Sequence, residues 1–193
     1  MAADSQSTTL TKNKAAEILR TLPAGHVIHT MVTEHVKILG FLRKLDELKG
    51  TLQLHKSADE GISVIEDIGR LAQNLIDAEP HHAREEKVLF PRLVGRGTSG
   101  PPHAMLQEHV LLRKLKQRLF DLASYEAKST TFQARRKAII EVIDRLVPNL
   151  ALHISKEDNV LYPMALEVID DPLIWDQMKL QCDDIGYCSF TTD

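Results

Sequence analysis

His81-His82-Ala83-Arg84-Glu85-Glu86-Lys87-Val88-Leu89-Phe90-Pro91 decides how this chain is read, because it is written twice. The second copy is His153-Ile154-Ser155-Lys156-Glu157-Asp158-Asn159-Val160-Leu161-Tyr162-Pro163. The two copies share His at the first place, a base at the fourth, Glu at the fifth, an acid at the sixth, then Val-Leu-aromatic-Pro. In a helix, a His and a Glu four residues apart stand one above the other on a single face and reach the same ion. Each copy therefore offers one imidazole and one carboxylate. An exposed helix face carrying His, Arg and Glu is the commoner meaning of one such stretch, and the duplication argues against it.

The second copy also sets the register. His82 and Glu86 are spaced like His81 and Glu85, but Ile154 stands opposite His82, so only the outer pair repeats. The working pairs are His81 with Glu85 and His153 with Glu157.

A second repeat lies upstream of each copy. Met31-Val32-Thr33-Glu34-His35-Val36 is matched by Met105-Leu106-Gln107-Glu108-His109-Val110. Apolar residues at helical spacing predict helices over about His29–Leu48, Ala58–Val94, His103–Tyr125 and Phe132–Val168. Pro80 and Pro148 precede the two His–Glu copies and are expected to bend their helices there. Gly95-Arg96-Gly97-Thr98-Ser99-Gly100-Pro101-Pro102 is the clearest breaker and marks the middle of the fold. One helical hairpin is thus written twice. The fold class expected is all-α: an antiparallel up-down four-helix bundle of two repeated hairpins, with short N- and C-terminal helical caps.

The caps come from the flanks. Ala15, Ile18, Leu19 and Leu22 predict a short helix over Thr11–Leu22, after a polar start at residues 1–10 expected to be disordered. Asp170-Asp171-Pro172 stops the last long helix, and Leu173–Cys182 reads as a short helix burying Trp175 and Met178. The apolar tail Ile185–Phe190 is expected to pack back on the bundle. The division is 1–25 for the N-terminal tail and helix, 26–169 for the bundle, and 170–193 for the C-terminal helix and tail.

Composition narrows the function. With 24 basic and 27 acidic residues the formal charge is −3, and no basic stripe suggests nucleic acid. No stretch approaches the ~18 apolar residues that span a bilayer, and no leader-like segment opens the chain, so a cytoplasmic protein without membrane partners is expected. Cys182 and Cys188 are the only cysteines and are expected to be reduced at rest. They are read as small residues that pack the tail against the bundle; the sharper alternative is that they record oxidants by forming a disulfide.

In such a bundle His35 and His109 face the His–Glu pairs. His26 and His29 take capping or exposed places at a helix start, and His55 an exposed connection. Met31 and Met105 are read as packing. Glu34 and Glu108 fall one position off the ligand face, as supporting or surface groups. The candidate metal ligands are His35, His81, Glu85, His109, His153 and Glu157. Six such donors exceed one tetrahedral zinc and suit two ions bridged by two carboxylates. Iron suits the donor set. The expected cofactor is two Fe ions, Fe2+/Fe3+, with a bridging oxo or hydroxo group. An apolar lining admits O2 or NO more readily than a charged organic substrate.

These four motifs resemble those of the hemerythrin-like, or HHE cation-binding, bundles over about residues 26–168. The resemblance implies that the six residues are iron ligands, with Glu85 and Glu157 bridging. It departs from the oxygen-carrying members, which have a further His one turn away on the third helix, where this chain has Met105 and Arg113. Relatives with four His and two carboxylates are associated with iron–sulfur repair, nitric oxide handling, and iron or oxygen sensing. The function implied is a non-haem diiron protein that binds or senses O2 or NO, or handles iron in oxidative and nitrosative stress. Its partners would be that gaseous ligand and an electron-donor or iron-acceptor protein. A diiron peroxidase or NO reductase, and a metal-stapled interaction module, are the alternative expectations.

Overall fold

The computed structural model describes residues 14–124 and 131–192. The start expected to be disordered, residues 1–10, lies outside the described residues. Among the described residues the chain is all helical, with no strand. A short helix α1 (14–21) is followed by α2 (Val27–Leu54), α3 (Ala58–Ile76), α4 (Glu79–Arg84), α5 (Phe90–Val94), α6 (Gly100–Ala123), α7 (Phe132–Lys156), α8 (Tyr162–Val168) and α9 (Pro172–Ile185). Five-residue π-helical turns at Glu85–Leu89 and Glu157–Leu161 join α4 to α5 and α7 to α8.

The helix ends follow local chemistry and correct several expected boundaries. The α2 helix opens on His26, whose Nδ1 accepts from the Ile28 backbone N–H at 3.2 Å, which is the capping role expected of it. It runs through Lys49-Gly50 to Leu54, because Leu52 still has core to bury. The expected single helix Ala58–Val94 is broken at Asp77-Ala78, and Pro80 lies in the first turn of α4, where its missing donor has no helical partner to lose. Pro148, expected to act like Pro80, sits inside an uninterrupted α7. The α6 helix starts at Gly100, ahead of the expected His103, because Pro101 and Pro102 fit a first turn. Its expected end at Tyr125 lies outside the described residues.

The two π turns occupy the same place in both copies, beginning at the Glu of each His–Glu pair. The Phe90 N–H reaches the Glu85 carbonyl and the Tyr162 N–H reaches that of Glu157. Pro91 and Pro163 follow directly. A proline ring collides with the carbonyl four residues back, and widening the turn before it relieves that collision while keeping the helix going.

The α2 and α6 helices each pack against α3 and α7, and α9 packs on α2, α4 and the first π turn. Two apolar clusters form the core. One includes Ile38, Leu45, Ile68, Leu75, Leu112, Leu119, Ile143 and Leu150. The other includes Ile28, Met31, Leu89, Phe90, Met105, Leu161, Trp175 and Met178. Along α2, α6 and the two interrupted helices, the buried histidines and carboxylates fall between the positions that feed these clusters. Burying each large apolar side chain contributes on the order of 2 kcal/mol, so hydrophobic packing on both sides holds a polar layer that would not assemble by itself. Trp175 and Met178 are buried, as read from the sequence. Gly186, at φ +91°, turns the chain after α9 and sends the tail back over the bundle. There Cys188 is buried and Phe190 meets Phe41 edge-on.

Candidate metal centre

The six residues singled out by the repeat converge in the polar layer, each at most 2% exposed. His35 Nε2 lies 3.1 Å from His81 Nε2, and His109 Nε2 lies 3.0 Å from His153 Nε2. The two carboxylates stand between these pairs. Glu157 places one oxygen 3.2 Å from His35 Nε2 and the other 2.8 Å from His153 Nε2. Glu85 Oε2 lies 3.7 Å from His81 Nε2 and 3.4 Å from His109 Nε2.

Each imidazole is gripped from behind by another carboxylate. His35 Nδ1 lies 2.8 Å from Asp158, His81 Nδ1 2.7 Å from Glu34, His109 Nδ1 2.7 Å from Glu86, and His153 Nδ1 2.8 Å from Glu108. A carboxylate accepts only from a protonated nitrogen, so these contacts set Nδ1–H as donor and leave an Nε2 lone pair facing inward. Four inward lone pairs at 3 Å spacing, with Glu85 Oε2 and Glu157 Oε1 buried and without hydrogen-bond partners, make a cage that needs cations. Ligand atoms of His35, His81 and Glu157 cluster within 4.8 Å of one another, as do those of Glu85, His109 and Glu157. Imidazole and carboxylate donors in this number fit two transition-metal ions.

The electrostatics point the same way. Burial alone would push His109 down, but the neighbouring Glu157 and Glu85 carboxylates outweigh it and raise the ring to about 10. His35 is likewise raised well above the ordinary value, against burial, by Asp158 and Glu157, and His153 is raised by Glu157 and Glu85. Burial acts to raise Glu157, yet His153, His109 and His35 hold it well below the usual carboxylate range. An anionic cavity of this kind attracts positive charge, as protons or as metal, so metal binding must displace protons. Tyr162 is pushed well above its ordinary value by burial and by Glu85, Glu157 and Asp158, and its protonated hydroxyl donates to Glu85 Oε1 at 2.8 Å.

Residues 26–165 match the family described as the hemerythrin HHE cation binding domain. The chain belongs to that family. Among curated proteins, this hemerythrin-like chain is similar to the iron–sulfur cluster repair protein YtfE of Salmonella paratyphi B, Salmonella newport and Salmonella heidelberg. Each is 36% identical over 93 residues, covering 45% of this chain and 40% of the relative. The chain thus spans less than half the length of these relatives.

Several residues of this hemerythrin-like site were not singled out by spacing. Glu34 and Glu108, left as supporting or surface groups, hold His81 and His153. Glu86 and Asp158 hold His109 and His35 across the bundle. The signal was in the repeat: both copies carry an acid at the sixth place and a Glu before the upstream His. The base at the fourth place also has a use, since Arg84 donates to both Glu34 oxygens at 2.6 Å and Lys156 to Glu108 at 2.5 Å. Met105, one turn before His109, is buried in the core, and Arg113, one turn after, pairs with Glu79 and Glu86. His29 and His55 are half-buried. Among the described residues, no helix is long and apolar enough to cross a membrane.

Proposed function

We propose that this chain is a dinuclear non-haem iron protein that handles iron together with a small diatomic ligand, O2 or NO, under oxidative or nitrosative stress. The observation that carries this reading is the cage itself: two imidazole pairs with inward lone pairs, and between them two carboxylates that each keep one unpartnered oxygen. In this reading His35, His81, His109, His153, Glu85 and Glu157 would hold the two ions. Two iron ions would supply Fe(II)/Fe(III) chemistry in this buried layer. The protein's own residues do the rest. Asp158, Glu34, Glu86 and Glu108 aim the imidazoles, Tyr162 holds a proton at its hydroxyl next to Glu85, and the apolar clusters exclude water and charged substrates.

An up-down-up-down antiparallel course belongs to the same proposal. It is supported by the order in which the helices pass the core: α2 and α6 go from the Met31–Met105 cluster to the Leu45–Leu119 cluster, and the two interrupted helices go the other way. The division into 1–25, 26–169 and 170–193 is supported by the family match over 26–165 and by the packing of α9 on the bundle. A cytoplasmic setting suits two free buried thiols. The name of the Salmonella relatives supports iron handling in particular. An electron-donor or iron-acceptor protein would complete the cycle.

Metal analysis and optical spectra of anaerobically purified protein, before and after air or NO, test the reading. The expected result is two irons per chain and a spectrum that responds to the gas. One ion or fewer after reconstitution with excess Fe(II) overturns the dinuclear site. Two irons without any response to gas or reductant would reduce the metals to staples of the fold.

A further inference from the structure

We propose that the surface where α6 and α7 meet above Glu108 is a docking site for a small acidic electron-carrier protein. The inference deepens the dinuclear reading above and rests on it. Four carboxylates back the four imidazoles, and they are sealed to different degrees. The side chains of Glu34, Asp158 and Glu86 are 0%, 10% and 22% exposed, whereas that of Glu108 is 30% exposed. Glu108 holds His153 Nδ1 at 2.8 Å on its inner side and Lys156 Nζ at 2.5 Å on its outer side. His153 therefore meets the surface through the most open of the four carboxylates. Outside lies a shallow notch of about 70 Å³, lined by Glu108, Leu111, Leu112, Asn149, Leu152 and Lys156. Beneath it the cage stays closed, with His153 and Glu157 buried. A metal ion would need an opening here and an electron would not, so the surface suits an electron carrier rather than an iron acceptor.

The composition of this surface specifies the partner's charge. On α6, Leu111, Lys114 and Arg118 fall at i, i+3 and i+7, along one face of the helix. On α7, Arg145, Asn149, Leu152 and Lys156 fall at i, i+4, i+7 and i+11, again along one face. Leu111 and Leu152 are 37% and 56% exposed, and Lys114, Arg118 and Arg145 are exposed with them. The acids that could offset these bases are already engaged. Glu108 is taken by Lys156, Glu141 lies 3.9 Å from Lys137, Asp144 holds Lys49, and Asp121 accepts from Gln117 at 2.8 Å. The result is two exposed leucines flanked by four bases, on a chain whose formal charge is −3. Charge of one sign around a small apolar contact steers an oppositely charged partner onto it. Two leucines give too little apolar area to hold a partner permanently, which suits electron-carrier encounters that bury less than about 1,200 Å².

Titration calorimetry of the full chain, reconstituted with iron, against an acidic plant-type [2Fe–2S] ferredoxin tests the surface without relying on turnover. A one-to-one complex with a micromolar Kd is expected at low salt, weakening at least tenfold between about 20 mM and 200 mM salt. The double variant Lys114→Glu/Arg118→Glu should weaken it at least tenfold and Leu152→Gln several-fold. Lys44→Glu, the same reversal at an exposed position of α2, should change it less than twofold. All four positions are exposed, and circular dichroism checks that each variant stays helical. Absence of a complex, or an equal loss from Lys44→Glu, overturns the docking site. Vesicles of equal parts phosphatidylglycerol and phosphatidylcholine provide the competing anionic surface. Binding to them that the double variant abolishes, without any ferredoxin complex, would assign the patch to a membrane and overturn the proposal. Iron content of the same samples separates the two readings. Two irons per chain without a complex remove the docking site and leave the dinuclear reading standing; a patch-dependent complex on a chain that takes up no iron does the reverse.

Discussion

The half of the cage built on His35 and His81 and the half built on His109 and His153 arise from one repeated sequence and end in different surroundings. Inside, they match: imidazole pairs about 3 Å apart, each ring backed by a carboxylate. Outside, they do not. Glu34 is fully buried, gripped by Arg84 at 2.6 Å and by the Thr191 hydroxyl of the tail at 2.6 Å. Its counterpart Glu108 is half-buried and pairs with a lysine at the surface. The cause is α9 and the tail, which pack on α2 and α4 and thereby seal only the first half. Lys116, by contrast, is buried near the second half, where it acts on His82. Duplication gives two halves the same chemistry, and whatever packs over them afterwards decides how strongly each is held.

The largest expected effect breaks both halves at once. Glu157 touches His35 and His153, so Glu157→Ala should leave fewer than two irons per chain by metal analysis while the far-ultraviolet circular dichroism stays helical; Glu85→Ala should do likewise. Retention of two coupled irons in either variant would mean that the register is wrong and that the His82–Glu86 pairing needs testing.

The next separates the halves. In the metal-free protein, Glu34→Ala strands the buried Arg84 guanidinium and is expected to lose about 3–5 kcal/mol of stability in denaturant titrations. Glu108→Ala, with a partly exposed lysine partner, should lose no more than about 1 kcal/mol. Equal losses would erase the comparison. The same contrast appears on acidification. Burial acts to raise Glu34, but His81 and Arg84 hold it at about 2 against an ordinary 4.5. A carboxyl depressed in the folded state stabilises above its unfolded value, so this contribution should be intact above pH 4.5 and lost as the pH falls toward 2. Glu34→Gln should flatten that limb of the stability curve.

A smaller effect of opposite sign belongs to Lys116. Burial lowers it to about 8 from 10.5, so its charge destabilises the folded chain fully below pH 8 and the penalty fades as the pH rises to 10.5. Lys116→Met is expected to be more stable than the unaltered protein at pH 7, by about 1–3 kcal/mol, with the gap closing between pH 8 and 10.5. A less stable variant at pH 7 would show that the lysine has a compensating partner in the fold.

The smallest concerns the thiols that lie with the sealing tail. Burial pushes Cys182 up to about 11 and Cys188 up to about 12, and the two sit in different apolar clusters. Neither is a thiolate at neutral pH, so both should resist iodoacetamide at pH 8 in the native chain and react on unfolding. Rapid native alkylation would mean that the tail opens, and would revive the idea of a thiol pair that records oxidants.

The sequence by itself determined the helical class, the repeated motifs and the six convergent residues, because a helix face is a matter of spacing and two copies make spacing unambiguous. Pro91 and Pro163 were legible as residues, but the π turns before them were not, since a widened turn shows only in backbone hydrogen bonds. The break at Asp77-Ala78 and the continuation of α2 to Leu54 also escaped, because the core available to Leu52 overrides a local glycine. Tertiary structure alone decided which carboxylate backs which imidazole. Asp158 reaches His35 and Glu86 reaches His109 across the bundle, and periodicity along one helix carries no information about the neighbouring helix. It alone also made the repeats unequal, burying Glu34 under the tail, turning His82 toward His109 and placing Tyr162 against Glu85, because the helices that cover a duplicated core are not themselves duplicated.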